Sequence, residues 1–258
     1  MNEAETRAEL IDPALKAAGW GVVEGSRVAR EVITPGRIQG GGRRARGLAC
    51  DYVLIYRNQK IGVIEAKKRD LPLGEGVGQA KHYAAKLQVR FAFSTNGLGV
   101  YQIDMAKARE GDISAFPSPD ELWNLTFAEA NLWRDRFAAI PFETEGGRWE
   151  PRYYQEIAIR RTLDGIADGR DRILLTLATG TGKTSIAFQI AWKLFQSRWN
   201  LTDWKKEGEP TRRPRILFLA DRNTLAIQAY LSFTAFPADA LVRIDPEISR
   251  KKGRVPKN

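Results

Sequence analysis

The sequence predicts an α/β protein in two parts, a mixed-sheet domain followed by a partial domain built on a parallel sheet. In the first 105 residues, strand-length apolar runs come in neighbouring pairs separated by short turns, as in antiparallel hairpins. After about residue 150, such runs alternate with stretches of helical periodicity, which is typical of parallel sheets. We therefore predict domains at residues 1–145 and 146–258, with residues 105–145 as a helical connector.

Composition limits the class of protein. Of the 258 residues, 43% are hydrophobic and 28% charged, and no apolar run approaches the ~18 residues that a membrane span needs, so no membrane association is expected. The acidic N-terminus does not resemble a secretory signal, and a single cysteine, Cys50, excludes an internal disulfide framework. Both features predict a cytoplasmic protein. A net charge of +10 favours a polyanionic partner, most simply nucleic acid.

The elements of the first domain follow from periodicity and turn signals. We predict a helix over residues 3–18, strand-like runs at "WGVVE" and "VAREVI", and a hairpin of "CDYVLIY" and "KIGVIEAK" around "RNQ". A helix over residues 75–87 and a hairpin of "RFAFST" and "VYQID" come next. Short helices at "FPSPDELWNL" and "FAEANLWRDRFAAI" and the linker "PFETEGGRWEP" complete this part.

A basic loop interrupts the strands. The stretch "TPGRIQGGGRRARG" contains Pro, clustered Gly and four Arg, which forbids a regular element. Arg43, Arg44 and Arg46 either are solvated or contact phosphate, and the sequence leaves both interpretations open.

Charged residues continue a row of apolar side chains at the end of the second hairpin strand. Ile61, Val63, Glu65 and Lys67 share one strand face, and the hairpin register brings Asp51 close to Glu65. Adjacent carboxylates repel unless a proton or a hard cation lies between them, and Mg²⁺ suits one or two carboxylates plus waters. The pattern predicts a metal site at which Lys67 orients a water or stabilises phosphate charge. The alternative is a strand-end salt bridge between Glu65 and a lysine.

Asp51 followed by Glu65-Ala66-Lys67 resembles the D…(D/E)-x-K signature of restriction-endonuclease-like nucleases. On the next helix, Gln79 and Tyr83 are similar to the Q-x-x-x-Y element beside RecB-type active sites, and Glu5 or Glu9 is placed like the extra acidic residue of the family. The resemblance implies that the metal ligands are Asp51, Glu65 and Glu9. It implies that the catalytic residues are Asp51, Glu65, Lys67, Gln79 and Tyr83. The sole histidine, His82, leaves no Ser/His/Asp triad and no Cys/His zinc cluster.

The second domain is predicted to run helix 154–167, strand "RILLTLA", helix 184–196, strand "RILFLA", helix 224–233 and strand "ALVRI". A Gly-rich turn between the first strand and the second helix has the context of a phosphate-binding loop. Its backbone N–H groups can hold phosphate, Lys183 can reach the β- and γ-phosphates, and the Thr184 hydroxyl can hold Mg²⁺. The loop residues predicted to bind ATP are Thr179, Gly180, Thr181, Gly182, Lys183 and Thr184.

"ATGTGKT" resembles motif I of superfamily 2 helicases, although Leu177 stands where the strict pattern has Gly. Gln155 in "RYYQ" is similar to their adenine-reading Q element, and "LFLADRNTLAIQA" is similar to motif Ia, where Arg222 and Gln228 either contact DNA phosphate or are ordinary element residues. The resemblance implies a RecA-like domain.

The order of these motifs resembles the N-terminal part of the restriction (R) subunit of type I restriction-modification enzymes. That resemblance implies Mg²⁺- and ATP-dependent translocation along double-stranded DNA and its cleavage, with methyltransferase and specificity subunits as partners. No D-E-x-H/D motif, second RecA-like lobe or arginine finger follows motif Ia, so we expect a fragment that binds nucleotide weakly and does not translocate. Two alternatives stay open: a helicase-like ATPase whose first domain is only a DNA-binding platform, and a non-enzymatic DNA-binding or subunit-docking module.

Overall fold

A computed structural model of the chain describes residues 1–34, 48–127, 131–144, 146–147, 149–206 and 208–244. The chain divides into two compact units, Met1–Ala139 and Ile140–Asn258. The predicted boundary between residues 145 and 146 lies a few residues after this division. The predicted basic loop with Arg43, Arg44 and Arg46 and the basic C-terminal tail lie outside the described residues.

The first unit is built on a six-stranded mixed sheet in the order β1-β2-β3-β4-β5-β6. Neighbouring strands are antiparallel except β3 and β4, which are parallel and are joined by a helical crossover. The strands are β1 (Ser26–Thr34), β2 (Leu48–Tyr56), β3 (Gln59–Ala66), β4 (Phe91–Thr95), β5 (Val100–Asp104) and β6 (Arg109–Ile113). The mixed α/β architecture of the first part is therefore confirmed.

Helices cover this sheet. The N-terminal helix contains a π-helical turn, Arg7–Ile11, between α1 and α2, and a 3₁₀ turn, Leu73–Gly76, leads into α3. The connector between residues 105 and 145 contains two helices, as the sequence predicts. The helices are α1 (Glu3–Thr6), α2 (Asp12–Ala17), α3 (Val77–Leu87), α4 (Pro119–Thr126) and α5 (Leu132–Ala139).

The connector helix α4 contributes to the core of the first unit. It begins at a capping box in which the Ser118 hydroxyl accepts from the Glu121 N–H and the Glu121 carboxylate accepts from the Ser118 N–H. Leu122 is fully buried in the cluster that contains Tyr52, Ile64 and Phe93 of the sheet. The helix therefore belongs to the hydrophobic core rather than to a linker.

Two short segments differ from the sequence prediction. "WGVVE" forms turns instead of a strand, because Gly19 and Gly21 adopt positive φ values of 96° and 75°. Strand β6 was not predicted, since its sequence "REGDI" is too polar to resemble a buried strand. As the last strand of the sheet it is an edge, where charged side chains are common.

The second unit is helical in its described part. Its helices are α6 (Tyr153–Ala167), α7 (Lys183–Gln196) and α8 (Asn223–Ser232), close to the predicted bounds. Phe188 and Phe195 of α7 pack with Phe233 and Phe236 in an aromatic cluster. In neither unit does a described helix combine the length and the apolar composition needed to cross a membrane.

The predicted parallel sheet of the second unit is corrected by the structure. "RILLTLA", "RILFLA" and "ALVRI" form no strand in the part of the unit that the structure describes. Leu174, Leu217 and Leu219 remain 89%, 66% and 80% exposed. A strand is stabilised by hydrogen bonds to a neighbour and by burial of its side chains, and these segments have neither here. The RecA-like arrangement therefore stays a prediction.

We predict that Leu122→Ala lowers the free energy of unfolding by about 2–5 kcal/mol, because it leaves a cavity under the sheet. Leu125 lies on the same helix but is 45% exposed, so Leu125→Ala is the matched control and should cost within about 0.5 kcal/mol. Urea unfolding followed by tryptophan fluorescence measures both. Equal losses in the two variants would contradict the placement of α4 in the core.

Candidate active site

The β2–β3 hairpin brings Asp51 and Glu65 to the same end of the sheet. Arg57 and Asn58 form its turn with φ values of 49° and 58°, and Tyr52 pairs with Ile64. One step further along this register, Asp51 lies across from Glu65. The Asp51 carboxylate accepts from the Ala66 N–H at 2.7 Å, which fixes the side chain against the end of β3.

Glu65 is a buried carboxylate with one satisfied oxygen. Lys67 Nζ donates to its Oε1 at 2.8 Å, while Oε2 is buried and accepts no hydrogen bond from any described residue. Burial raises the pKa of Glu65 to about 6; the Lys67 hydrogen bond opposes this shift, and the nearby charge of Asp51 adds to it. Burial thus outweighs the effect of the lysine on the pKa, and within the described part of the chain the carboxylate has no second cationic partner.

Helix α3 contacts Lys67 and the strand that contains Asp51, both of which neighbour the Glu65 carboxylate. Gln79 Oε1 accepts a short hydrogen bond from Lys67 Nζ, so the amide holds the ammonium group beside Glu65. The Tyr83 hydroxyl donates to the Ala49 carbonyl at 2.6 Å, two residues before Asp51. Burial, together with the charge of Glu65, raises the pKa of Tyr83 to about 12, so the hydroxyl stays a donor. Gln79 therefore contacts the predicted site directly, and Tyr83 positions strand β2.

The acidic residues of the N-terminal helix are distributed differently from the expectation. Glu9 is exposed, and Glu5 accepts from the Asn2 N–H in a capping box. The helix residue whose negative charge contributes to the raised pKa of Glu65 is instead Glu3. Among the described residues, no group of three or more His, Cys, Asp or Glu side chains is placed to hold a metal ion. The assignment of Glu9 as a ligand stays a prediction without support from its position.

The donor set at the hairpin end suits a magnesium ion. Mg²⁺ commonly takes one or two carboxylates and keeps several waters, so a cage of three acidic residues is not required. Asp51 and Glu65 supply two carboxylates, and Glu65 Oε2 is a buried acceptor to which no described residue donates. The residues present therefore fit this ion.

Two supporting residues carry no signal in the motif. Arg7 lies in the π-helical turn, and its guanidinium group is 3.7 Å from Asp51 Oδ1, whereas the Ala66 N–H donates to Oδ2. The same guanidinium group lies over the Tyr52 ring, 5.0 Å from its centroid. Gly76 precedes α3 at a close approach: a Cβ there would lie 2.6 Å from Ser94 Oγ and 3.0 Å from Glu65 Cγ. The helix can approach the carboxylate this closely only because residue 76 has no side chain.

The predicted ATP loop occupies the start of α7. Gly180 and Gly182 adopt positive φ values of 75° and 78°, as a tight loop requires. Lys183 Nζ donates to the Leu177 and Ala178 carbonyls at 3.2 and 2.9 Å, so the ammonium group is bound by the loop itself. Thr179 is exposed and Thr184 lies partly exposed in the first helical turn.

Gln155 braces this loop. Its Nε2 donates to the Thr181 carbonyl at 2.9 Å, and its Oε1 accepts from the Arg152 N–H at 2.9 Å. The Tyr154 hydroxyl donates to the same Thr181 carbonyl at 3.3 Å. The predicted Q element is thus next to the predicted phosphate loop, where its amide contacts backbone groups.

We predict that Gly76→Ala lowers the free energy of unfolding by about 1–3 kcal/mol, since the added methyl group must displace Ser94 and Glu65. Gly78 is the matched control, because a Cβ there meets nothing within 4 Å. Gly78→Ala should leave stability unchanged or raise it by up to about 1 kcal/mol through helix propensity. Urea unfolding compares them, and a Gly76→Ala protein as stable as the parent would refute the close approach.

We also predict that Glu65 makes the metal-free protein less stable as pH rises. Its folded pKa of about 6 lies above the ordinary 4.5, so the folded state binds the proton more tightly and stability falls between these values. Glu65→Gln should therefore be more stable than the parent by about 2 kcal/mol at pH 8 in EDTA, and this advantage should vanish at pH 4. Exposed Glu75→Gln serves as the control, with less than about 0.5 kcal/mol at either pH. A pH-independent difference for Glu65→Gln would contradict the assignment.

Comparisons with known proteins found relatives among restriction enzymes. A family model described as "Type III restriction enzyme, res subunit" matches residues 148–254. The endonuclease subunit of the type I restriction enzyme EcoAI from Escherichia coli is 36% identical over 246 residues, covering 88% of this chain and 28% of that protein. The EcoKI endonuclease subunit of E. coli strain K12 is 29% identical over 297 aligned positions, covering 90% of this chain and 24% of that protein.

A solved structure is similar over most of the chain. It is a fragment assigned to the HsdR subunit of a type I restriction enzyme from Vibrio vulnificus YJ016, with a TM-score of 0.76 and 38% identity over 92% of this chain and 43% of that chain. This chain therefore spans less than half the length of each of these relatives. The chain therefore belongs to the family of R subunits of type I restriction enzymes and is similar to a part of those subunits.

Proposed function

We propose that the first unit is a Mg²⁺-dependent endonuclease domain that hydrolyses phosphodiester bonds of double-stranded DNA. The observation that carries this proposal is the pair of carboxylates at one hairpin end, with Glu65 Oε2 buried and without a donor and Lys67 bound to the other oxygen. The relatives named as endonuclease subunits support the same activity.

Asp51 and Glu65 would hold the magnesium ion, with waters completing its shell. Bound there, the ion would supply Lewis-acid polarisation of a phosphate oxygen and a more acidic water. The chain's own contribution is to hold two negative charges close together. Asp51 is oriented by the Ala66 N–H and by Arg7, and Glu65 is buried at the end of β3.

Lys67 would bind the attacking water or the charge that develops on the phosphate. Glu65 and Gln79 both accept from its Nζ, so the ammonium group is held at the site and keeps a further proton to donate. We propose Gln79 and Tyr83 as positioning residues, since the first contacts Lys67 and the second contacts the backbone before Asp51. Glu9, which is exposed, was predicted as a further metal ligand, but Glu3 is the helix acid whose charge contributes to the raised pKa of Glu65.

We propose that the second unit is part of an ATP-binding, RecA-like motor domain. The loop at residues 179–184 follows α6 and begins α7, and its glycines leave backbone N–H groups free to approach phosphate. Lys183 would exchange its two carbonyl partners for the β- and γ-phosphates, and Thr184 would hold the magnesium ion of the nucleotide. Gln155 would read adenine only if its amide gave up a present backbone partner.

Double-stranded DNA and the methyltransferase and specificity subunits of a restriction complex are the partners this proposal implies. Cytoplasmic location stays a prediction from the sequence. The alternative remains an ATPase whose first unit only binds DNA, and the two proposals differ in which residues abolish activity.

A nicking assay on supercoiled plasmid separates them. We expect relaxation only with Mg²⁺ or Mn²⁺, and a loss of about 100-fold or more in Asp51→Ala, Glu65→Ala and Lys67→Ala, because each removes a ligand or the charge at the phosphate. Exposed Lys107→Gln, at the opposite end of the sheet, is the control and should nick normally.

The contrary result would be normal nicking by Glu65→Ala together with a complete loss in Lys183→Ala. Circular dichroism on each variant checks that the fold is retained. That outcome would transfer the activity to the second unit and leave the first as a DNA-binding platform.

A further inference from the structure

We propose that the surface loop Lys67–Leu73, directly after the metal-site strand, is a preorganised binding ledge for the phosphate backbone of duplex DNA. This inference rests on the proposed nuclease function, which it deepens by assigning residues that grip the substrate. Lys68 and Arg69 are the proposed phosphate contacts. Both are exposed, and neither has a side-chain partner among the described residues.

Buried polar side chains from separate elements hold the backbone of this loop. Thr6 Oγ1 of α1 accepts from the Arg69 N–H at 3.2 Å, and Ser94 Oγ of β4 donates to the Leu73 carbonyl at 2.7 Å. Asn96 Nδ2, just after β4, donates to the Leu71 carbonyl at 2.8 Å. These three side chains are 0%, 0% and 8% exposed.

An ordinary surface loop does not need three buried polar side chains to bind its backbone. A buried hydroxyl or amide must be hydrogen-bonded, and here each of the three uses a bond on the same seven-residue loop. The Lys67 N–H also donates to the Thr95 carbonyl at 2.8 Å, which extends the sheet pairing into the loop. The loop backbone is thereby fixed before any ligand binds, and a fixed backbone reduces the ordering cost of binding.

The position of the loop selects the ligand. Lys68 and Arg69 follow Lys67 by one and two residues, so their Cα atoms lie within roughly 8 Å of the Lys67 Cα. A phosphate at the metal site would therefore have neighbouring phosphates of the same backbone within reach of these side chains. Asp70 is also exposed, and its negative charge opposes binding of a polyanion.

Removing positive charge from this loop and removing its negative charge should change the Kd for DNA in opposite directions. Binding of a short fluorescent DNA duplex is measured by anisotropy over a range of NaCl concentrations, with Ca²⁺ in place of Mg²⁺. Lys68→Gln with Arg69→Gln should raise Kd about tenfold or more and reduce the slope of log Kd against log salt by about 2, because two phosphate contacts are lost. Asp70→Asn should lower Kd.

The chain provides a matched control for the charge change. Lys107 and Arg109 are exposed and lie at the β5–β6 turn, at the end of the sheet away from Ala66. Lys107→Gln with Arg109→Gln removes the same charge and should change Kd by less than about twofold. Equal weakening by both double variants, or an unchanged Kd in Lys68→Gln with Arg69→Gln, would overturn the proposal.

A second variant tests preorganisation without changing charge. Thr6→Val removes the acceptor of the Arg69 N–H, whereas Thr6→Ser keeps it. We expect Thr6→Val to raise Kd severalfold with an unchanged salt slope and Thr6→Ser to bind like the parent. Equal Kd values for the two would show that the loop needs no such support and would refute the ledge as preorganised.

These measurements separate this inference from the proposed nuclease function. If the parent protein cuts no DNA but the loop variants still weaken binding, the nuclease proposal alone fails. If the parent cuts DNA and Lys68→Gln with Arg69→Gln binds and cuts normally, only the ledge is refuted.

Discussion

The burial of the Glu65 carboxylate is the constraint on which the first unit's site depends. An ionised carboxylate loses its hydration when buried, and a single lysine partner recovers only part of that loss. The pKa of about 6 records this balance, because burial outweighs the Lys67 hydrogen bond. Neighbouring residues maintain this burial and its partial compensation. Gln79 holds Lys67 beside the carboxylate, and the absence of a side chain at Gly76 lets the start of the helix approach Glu65 closely. A site that is incomplete in this way gains most from a bound cation.

Polar contacts hold helix α7 of the second unit both at its start and further along its length. Gln155 holds the Thr181 carbonyl at the start of the helix. Further along, Gln189 exchanges two hydrogen bonds with the backbone of Glu143, at 3.1 and 2.7 Å. Lys193 donates to the Ile140 carbonyl and lies 4.7 Å above the Phe142 ring, and its burial lowers the pKa of the ammonium group to about 8. Because no strand pairing is seen among the described residues of this unit, these buried polar contacts hold the helix to neighbouring segments in its place.

Sequence reasoning recovered the features that depend on local patterns. Alternation and turn signals predicted the β2–β3 hairpin, and its register brought Asp51 and Glu65 together. The resemblance to RecB-type nucleases implied that Gln79 lies beside the hairpin residues, and in the structure its amide oxygen accepts from Lys67. The resemblance to R subunits was confirmed by the relatives and the solved fragment.

What the sequence did not reveal depends on tertiary contacts. Arg7 reaches Asp51 only because the N-terminal helix packs against β2, and no spacing rule connects residues that far apart. Helical position offered Glu5 or Glu9 as the extra acidic residue and did not single out Glu3, whose negative charge contributes to the raised pKa of Glu65 in the folded chain. Strand prediction in the second unit failed for a similar reason, because an apolar run such as "RILFLA" forms a strand only beside a paired neighbour.

The phosphate contacts that we propose for the two units differ in the present partners of their cations. In the first, side chains of other elements hold the backbone of the loop after Lys67, and Lys68 and Arg69 have no side-chain partner among the described residues. In the second, Lys183 is bound to the Leu177 and Ala178 carbonyls of its own loop, and a nucleotide must displace these bonds before the lysine can act. Exposed cations on a fixed backbone favour rapid, salt-sensitive capture of a polymer, whereas a lysine bound by its own loop makes nucleotide binding depend on a local rearrangement. A fixed DNA-binding loop and a lysine that must rearrange before it binds nucleotide would suit a chain that holds DNA continuously and nucleotide intermittently.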